Sequence, residues 1–168
     1  METPLARSSR SITSRRHDDS VRFAKTLRET WPTNIMAPFF LASNYAVLRQ
    51  RNEVDAECGR VLSAIGGAYV MQMIGQCAAA YAAVGETGEA RRLLRVLEHP
   101  PKGIWLDPAV MGNVYGALGD LDRAIAWYQK GLQERAPNMI YMKAGPQLDP
   151  ARGDPRFVAM LRRMNFPQ

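Results

Sequence analysis

Apolar positions along this chain recur with the period of an α-helix, and strict alternation never persists for more than a few residues. Val70, Met73, Ile74, Cys77, Tyr81 and Val84 fall at i, i+3, i+4, i+7, i+11 and i+14, which puts them on one helical face. Gly85 closes that stretch. Ala90, Leu93, Leu94 and Leu97 then form a second stripe, stopped by His99-Pro100-Pro101, so the two segments predict a helical hairpin. Asp107-Pro108 opens the next helix, because Asp can accept from the free amides of a first turn and proline at the first helical position forfeits no bond. Val110, Met111, Val114, Tyr115 and Leu118 are its inward stripe. Gly119 closes it, and Leu121, Ala124, Ile125, Tyr128 and Leu132 carry a fourth helix that ends before Pro137.

The same punctuation extends both ways. Phe39 to Arg49 and Glu53 to Ile65 predict a less regular pair, divided by Gln50-Arg51-Asn52. A helix over 18–30, closed by Trp31-Pro32, stands ahead of them with no helical partner of its own. Downstream, residues 138–153 predict irregular chain. Asp154-Pro155 then repeats the capping device, and Phe157, Met160, Leu161 and Met164 predict a closing amphipathic helix. The expected fold class is all-α.

The hairpins overlay. Tyr81 and Tyr115, Gly85 and Gly119, and Ala90 and Ala124 each stand 34 residues apart. Met111-Gly112-x-x-Tyr115 faces Cys77-Ala78-x-x-Tyr81, and Ala124-x-x-x-Tyr128 faces Ala90-x-x-x-Leu94. This unit length and order of small, aromatic and small residues resembles the tetratricopeptide repeat. Stepping back a further 34 residues aligns Ala56 with Ala90, while Ser43-Asn44, Val47 and Arg60 depart from the pattern. The resemblance implies a right-handed α-solenoid: an orphan helix over 18–30, a degenerate repeat over 36–67, repeats over 69–100 and 105–137, and a loop with a capping helix over 138–168. Tight helix pairing asks for small residues where backbones meet, here Gly112, Ala124 and Gly131, and for rings beside them, here Tyr115 and Tyr128.

The tail carries a narrower likeness. Val114-Tyr-Gly-Ala-Leu-Gly-Asp120, Trp127, Glu134-Arg135, Met139-Ile-Tyr141, Leu148-Asp-Pro150, Arg152, Asp154-Pro-Arg-Phe157 and Leu161-Arg-Arg-Met164 resemble the closing segment of bacterial tetratricopeptide proteins. In those families the array follows a nucleotide cyclase, a serine/threonine kinase or a winged-helix regulator. None of those modules is in this sequence, so the likeness implies an interaction module in bacterial signalling and no activity.

In tetratricopeptide arrays the first helix of each hairpin lines the concave side. The resemblance therefore assigns Tyr45, Leu48 and Arg49, then Gln72, Ala79, Ala82 and Ala83, then Asn113, Gly116 and Ala117 to a partner-binding groove. Members that clamp a C-terminal carboxylate use several Lys, Arg and Asn residues there. Only Arg49 and Asn113 are of that kind, so the expected occupant is an apolar helix or extended segment, from a partner or from the chain's own N-terminal arm.

Charge alters this picture only at the ends. The net charge of +6 divides into surpluses over residues 1–30 and 139–168, with a balanced body between. The Arg- and Ser-rich segment 1–17 has no apolar core and reads as a disordered basic arm, not a secretory signal. It supports a second expectation, an accessory contact with nucleic acid or an anionic surface. The uncharged run Val61 to Gly85 is long enough to cross a bilayer. Gly66-Gly67, Gln72 and Gln76 interrupt it, which fits two soluble helices, and a cytoplasmic protein is expected. Cys58 and Cys77 form no CxxC or zinc pattern. His99 at a helix end and the Asp149 and Asp154 pair before prolines read as capping groups. No phosphate-binding, nucleophile-elbow or zinc-protease motif occurs. No enzyme, metal or cofactor is expected.

Overall fold

The computed structural model describes the backbone of residues 4–64, 70–143 and 146–165, and all side chains among these except those of residues 4–16, 146, 147 and 150. Every regular element in this set is helical and none is a strand. In chain order these are α1 (Pro4–Thr30), α2 (Met36–Val47), α3 (Arg51–Ala64), α4 (Val70–Ala83), α5 (Thr87–Glu98), α6 (Pro108–Ala117), α7 (Leu121–Glu134) and α8 (Pro155–Arg163). Two 3-10 helices, Pro137–Tyr141 and Pro146–Ala151, fill the connection between α7 and α8.

Helices α2 and α3, α4 and α5, and α6 and α7 form three hairpins, and the first helices α2, α4 and α6 lie side by side in that order. Each second helix backs its own partner, and α3 and α5 also touch the first helix of the next hairpin. Helix α1 packs on α2, with Val21 and Ala24 buried.

Several expectations change, first at the two ends of the chain. Segment 1–17 was read as a disordered arm, yet α1 starts at Pro4. Proline suits a first turn, and no Gly or Pro follows until Pro32, so nothing in the chain stops the helix. Its described end is tied down: His17 Nδ1 lies 2.8 Å from Asn44 Oδ1 on α2, and Arg28 pairs at 2.8 Å with Glu57 on α3. Second, 138–153 is not simply irregular. Its 3-10 helices bury Met139, Met142, Leu148 and Ala151 against α6 and α7. Asp149 lies inside the second of them and pairs with Arg152 at 2.7 Å, so it caps no α-helix.

The uncharged run divides between α3, ending at Ala64, and α4, beginning at Val70. Its Gly66-Gly67 break lies outside the described residues. No described helix is long and apolar enough to cross a membrane.

Backbone geometry at the turns sets the repeat register. Asp120 N–H donates to Tyr115 O, Glu86 N–H to Tyr81 O and Gln50 N–H to Tyr45 O, each at 2.9 Å. The residue before each donor has positive φ: Gly119 at 84°, Gly85 at 89° and Arg49 at 58°. Arg49 is thus the counterpart of two glycines, and the first unit is offset from the second by 36 residues, not 34. Val54, fully buried, takes the place of Ala90 and Ala124, while Ala56 is exposed. An L-residue in the left-handed region costs about 1 kcal/mol. The Arg49 guanidinium donates to Ala83 O at the end of α4, a bond that glycine could not make.

The tightest helix pair is α6 with α7. A Cβ built on Gly112 would stand 2.2 Å from Tyr128 Cε1, so the ring rests directly on the α6 backbone. Tyr128 is fully buried, its hydroxyl donates to Asn113 Oδ1 at 3.1 Å, and its ring meets Phe157 of α8 edge-on at 5.7 Å. Ala124 is fully buried beside it, and a Cβ on Gly131 would come within 2.8 Å of Met139 Sδ.

Candidate functional site

The 36-residue step brings equivalent positions of the three first helices into columns. Counting from each turn, Met36, Gln72 and Leu106 share one position, and Phe40, Gln76 and Val110 the next. Ser43, Ala79 and Asn113 share a third, and Val47, Ala83 and Ala117 a fourth. Successive columns are four, three and four residues apart, one face of a helix. All these residues line a single groove of about 1040 Å³.

Seven of the ten residues assigned from sequence line it: Arg49, Gln72, Ala79, Ala82, Ala83, Asn113 and Ala117. Tyr45, Leu48 and Gly116 do not. Tyr45 is a core ring equivalent to Tyr81 and Tyr115, and Leu48 is the partly buried C-cap of α2. Both were assigned through the 34-residue offset, which slips α2 by two residues and rotates its face by more than half a turn. The corrected step substitutes Ser43, Ala46 and Val47, and these do line the groove. Arg49 remains a lining residue because its long side chain reaches across to α4. Gly116 is buried and has no side chain to contribute.

Sequence reasoning missed the rim. Phe40, Trp105 and Tyr141 line the groove and are 42%, 58% and 58% exposed. Trp105 comes from the α5–α6 connection and Tyr141 from the first 3-10 helix. The available signal was a large aromatic residue in a connection, outside any helical stripe, where burial in the core does not explain it. Met36, Met71, Met73 and Met142 add flexible apolar walls.

Among the described residues the lining has three charged side chains, and each already has a partner. Arg49 donates to Ala83 O. Asp107 accepts from Ala109 N–H at 2.8 Å and Asn138 N–H at 3.0 Å, and Asp149 pairs with Arg152. The amides are also engaged. Gln76 Nε2 donates to Ser43 Oγ at 2.8 Å, joining α4 to α2, and Asn138 Nδ2 donates to Gln72 Oε1 at 2.8 Å. The second bond ties the first turn of α4 to the 3-10 wall. The result is a neutral trough, with small side chains toward the C-terminal ends of the first helices and large ones toward the N-terminal ends.

The polar residues outside the groove are occupied structurally. Asp154 caps α8, and His99 Nδ1 sits 3.0 Å from Arg95 O at the end of α5. Tyr81 OH donates to Asp55 at 3.0 Å and Tyr115 OH to Glu98 at 2.7 Å, each joining one hairpin to the next. Burial together with the carboxylate acceptor pushes both phenols above the ordinary tyrosine value. No group of three or more His, Cys, Asp or Glu among the described residues could hold a metal ion.

No family model, curated protein or solved structure matches the chain.

Proposed function

We propose that this chain is a non-catalytic interaction module of tetratricopeptide type, a right-handed array that binds an apolar segment of a partner protein in its groove. The observation that carries this reading is the neutral lining beneath three exposed aromatic residues, Phe40, Trp105 and Tyr141. The lining offers an incoming charge little compensation, since Asp149 is already ion-paired with Arg152, Asp107 accepts from two backbone amides, and Arg49 donates to Ala83 O. An uncharged helix face or extended segment loses little on entry and buries aromatic surface, the usual source of interface energy. The Ala79, Ala83 and Ala117 end allows close backbone approach. Engagement of Arg49 with Ala83 O also argues against a carboxylate clamp. The likeness of the tail to bacterial signalling proteins supports a scaffold or regulatory role in the cytoplasm, without a cofactor.

The test is affinity capture from the source cell with the intact chain and with Ala79→Arg, each shown by circular dichroism to be folded. Retention of a polypeptide that is insensitive to salt and falls at least tenfold with Ala79→Arg is the expected result. Binding unaffected by Ala79→Arg but lost in high salt, or on removing residues 1–17, would replace this reading. The function would then be contact with nucleic acid or an anionic surface through the basic N-terminal segment.

A further inference from the structure

The seams between successive hairpins are filled differently. At the seam from the second hairpin to the third, the equivalent core positions hold Leu94 on α5 and Met111 on α6, both buried. At the seam from the first to the second they hold two free cysteines, Cys58 on α3 and Cys77 on α4, at 0% and 1% exposure. The two cysteines face each other across the α3–α4 seam, because Asp55 stands one turn before Cys58, Tyr81 stands one turn after Cys77, and these two flanking residues are hydrogen-bonded. Tyr81 lies one turn beyond Cys77, and its hydroxyl bridges the same pair of helices by donating to Asp55 at 3.0 Å. Cys77 lies on the face of α4 turned away from the groove.

We propose that Cys58 and Cys77 are a disulfide-forming pair that staples the first hairpin to the second under oxidising conditions. Hydrogen peroxide is the co-reactant. One sulfur attacks the peroxide oxygen and becomes a sulfenic acid while water leaves; the second sulfur then attacks it, forming the S–S bond as a second water departs. The two thiols lose two electrons in total and the peroxide gains them. The second step is intramolecular, because the partner thiol faces it from the adjoining helix. The first step waits for local opening, since both thiols are shielded from solvent. The neighbouring Cys77 thiol and burial also hold the Cys58 thiol well above the ordinary range, so little thiolate is present to react. Oxidation is therefore slower than for an exposed thiol. Once closed, the bond holds α3 to α4 behind the groove and limits opening of this seam.

The test exposes the whole folded chain to hydrogen peroxide and maps peptides without reduction. The expected product is one intramolecular cross-link joining the peptides that contain Cys58 and Cys77, reversed by dithiothreitol. The oxidised chain should melt roughly 5 °C or more above the reduced one, with slower hydrogen exchange in α3 and α4. Cys58→Ala, if folded, should show neither the cross-link nor the shift. Should Cys58→Ala fail to fold, Cys77→Ala serves the same purpose, and the wild-type peptide map stands by itself. Two free thiols after prolonged exposure, sulfinic acid at either position, or cross-links only between chains would each overturn the proposal. None of these readouts depends on what occupies the groove.

Discussion

The third hairpin, α6 with α7, and the first, α2 with α3, use the same backbone plan with different chemistry. In the third, Asp107 and Asp120 cap the two helices through their side chains, Gly119 makes the turn, and the Tyr128 ring lies against Gly112. In the first, the N-cap of α2 is Ile35, which makes no side-chain bond, and Arg49 makes the turn. The small position is Ala42, and Cys58 stands where the ring would be. A larger residue on the first helix accompanies a smaller one on the second. Equivalent sites keep helix spacing by compensating volumes, so the repeat can lose its sequence signature without losing its geometry.

The comparison breaks most sharply at the ring. Gly112→Ala places a methyl group 2.2 Å from a fully buried Tyr128 with no room to retreat, so the third hairpin should lose about 3 kcal/mol in urea unfolding. The same alanine already stands at position 42 in the first hairpin, opposite a cysteine-sized partner. Gly112→Ala combined with Tyr128→Leu should therefore recover part of the loss, and no recovery would refute volume compensation.

A smaller effect separates the caps. Asp107→Ala removes an acceptor from both Ala109 N–H and Asn138 N–H and should cost about 2 kcal/mol by the same measurement. Substitution of Ile35 by Ala removes no comparable bond and should cost clearly less.

The smallest effect is acid-dependent and concerns the second Asp-Pro cap. The Arg156 guanidinium, helped by the Arg156 N–H, lowers the Asp154 carboxyl from 3.8 to about 2. A carboxyl depressed in the folded state contributes stability above its unfolded value, and that contribution fades as pH falls from about 4 to about 2. Because Asp154 is only partly buried and its partner Arg156 is half exposed, solvent screens much of the interaction. Asp154→Asn should lower the melting temperature slightly near pH 6, and the difference from wild type should vanish as pH approaches 2. A difference that persisted at pH 2 would show that the carboxylate charge is not the stabilising feature.

Much of the fold was legible along the chain, because helical stripes, Gly and Pro stops and Asp-Pro starts act over one or two turns. Those signals located α4 to α8 within a few residues. The first hairpin was misregistered because Arg49 occupies a position where glycine was the only recognised cue. Its left-handed turn is sustained by a bond to Ala83, 34 residues away. The same slip misplaced Tyr45 and Leu48 and hid Ser43, Ala46 and Val47.

What the sequence determined by itself was therefore local: which segments are helices, where two of the three turns fall, and that the first helices carry small, uncharged residues on one side. The tertiary structure decided the rest. It set the 36-residue step, brought Trp105 and Tyr141 from separate connections to the groove rim, and spent each lining charge on an internal partner. The physical reason is range. Periodicity and capping depend on neighbours within a turn or two, whereas a concave surface and its electrostatic neutrality arise from side chains that meet only after the hairpins stack.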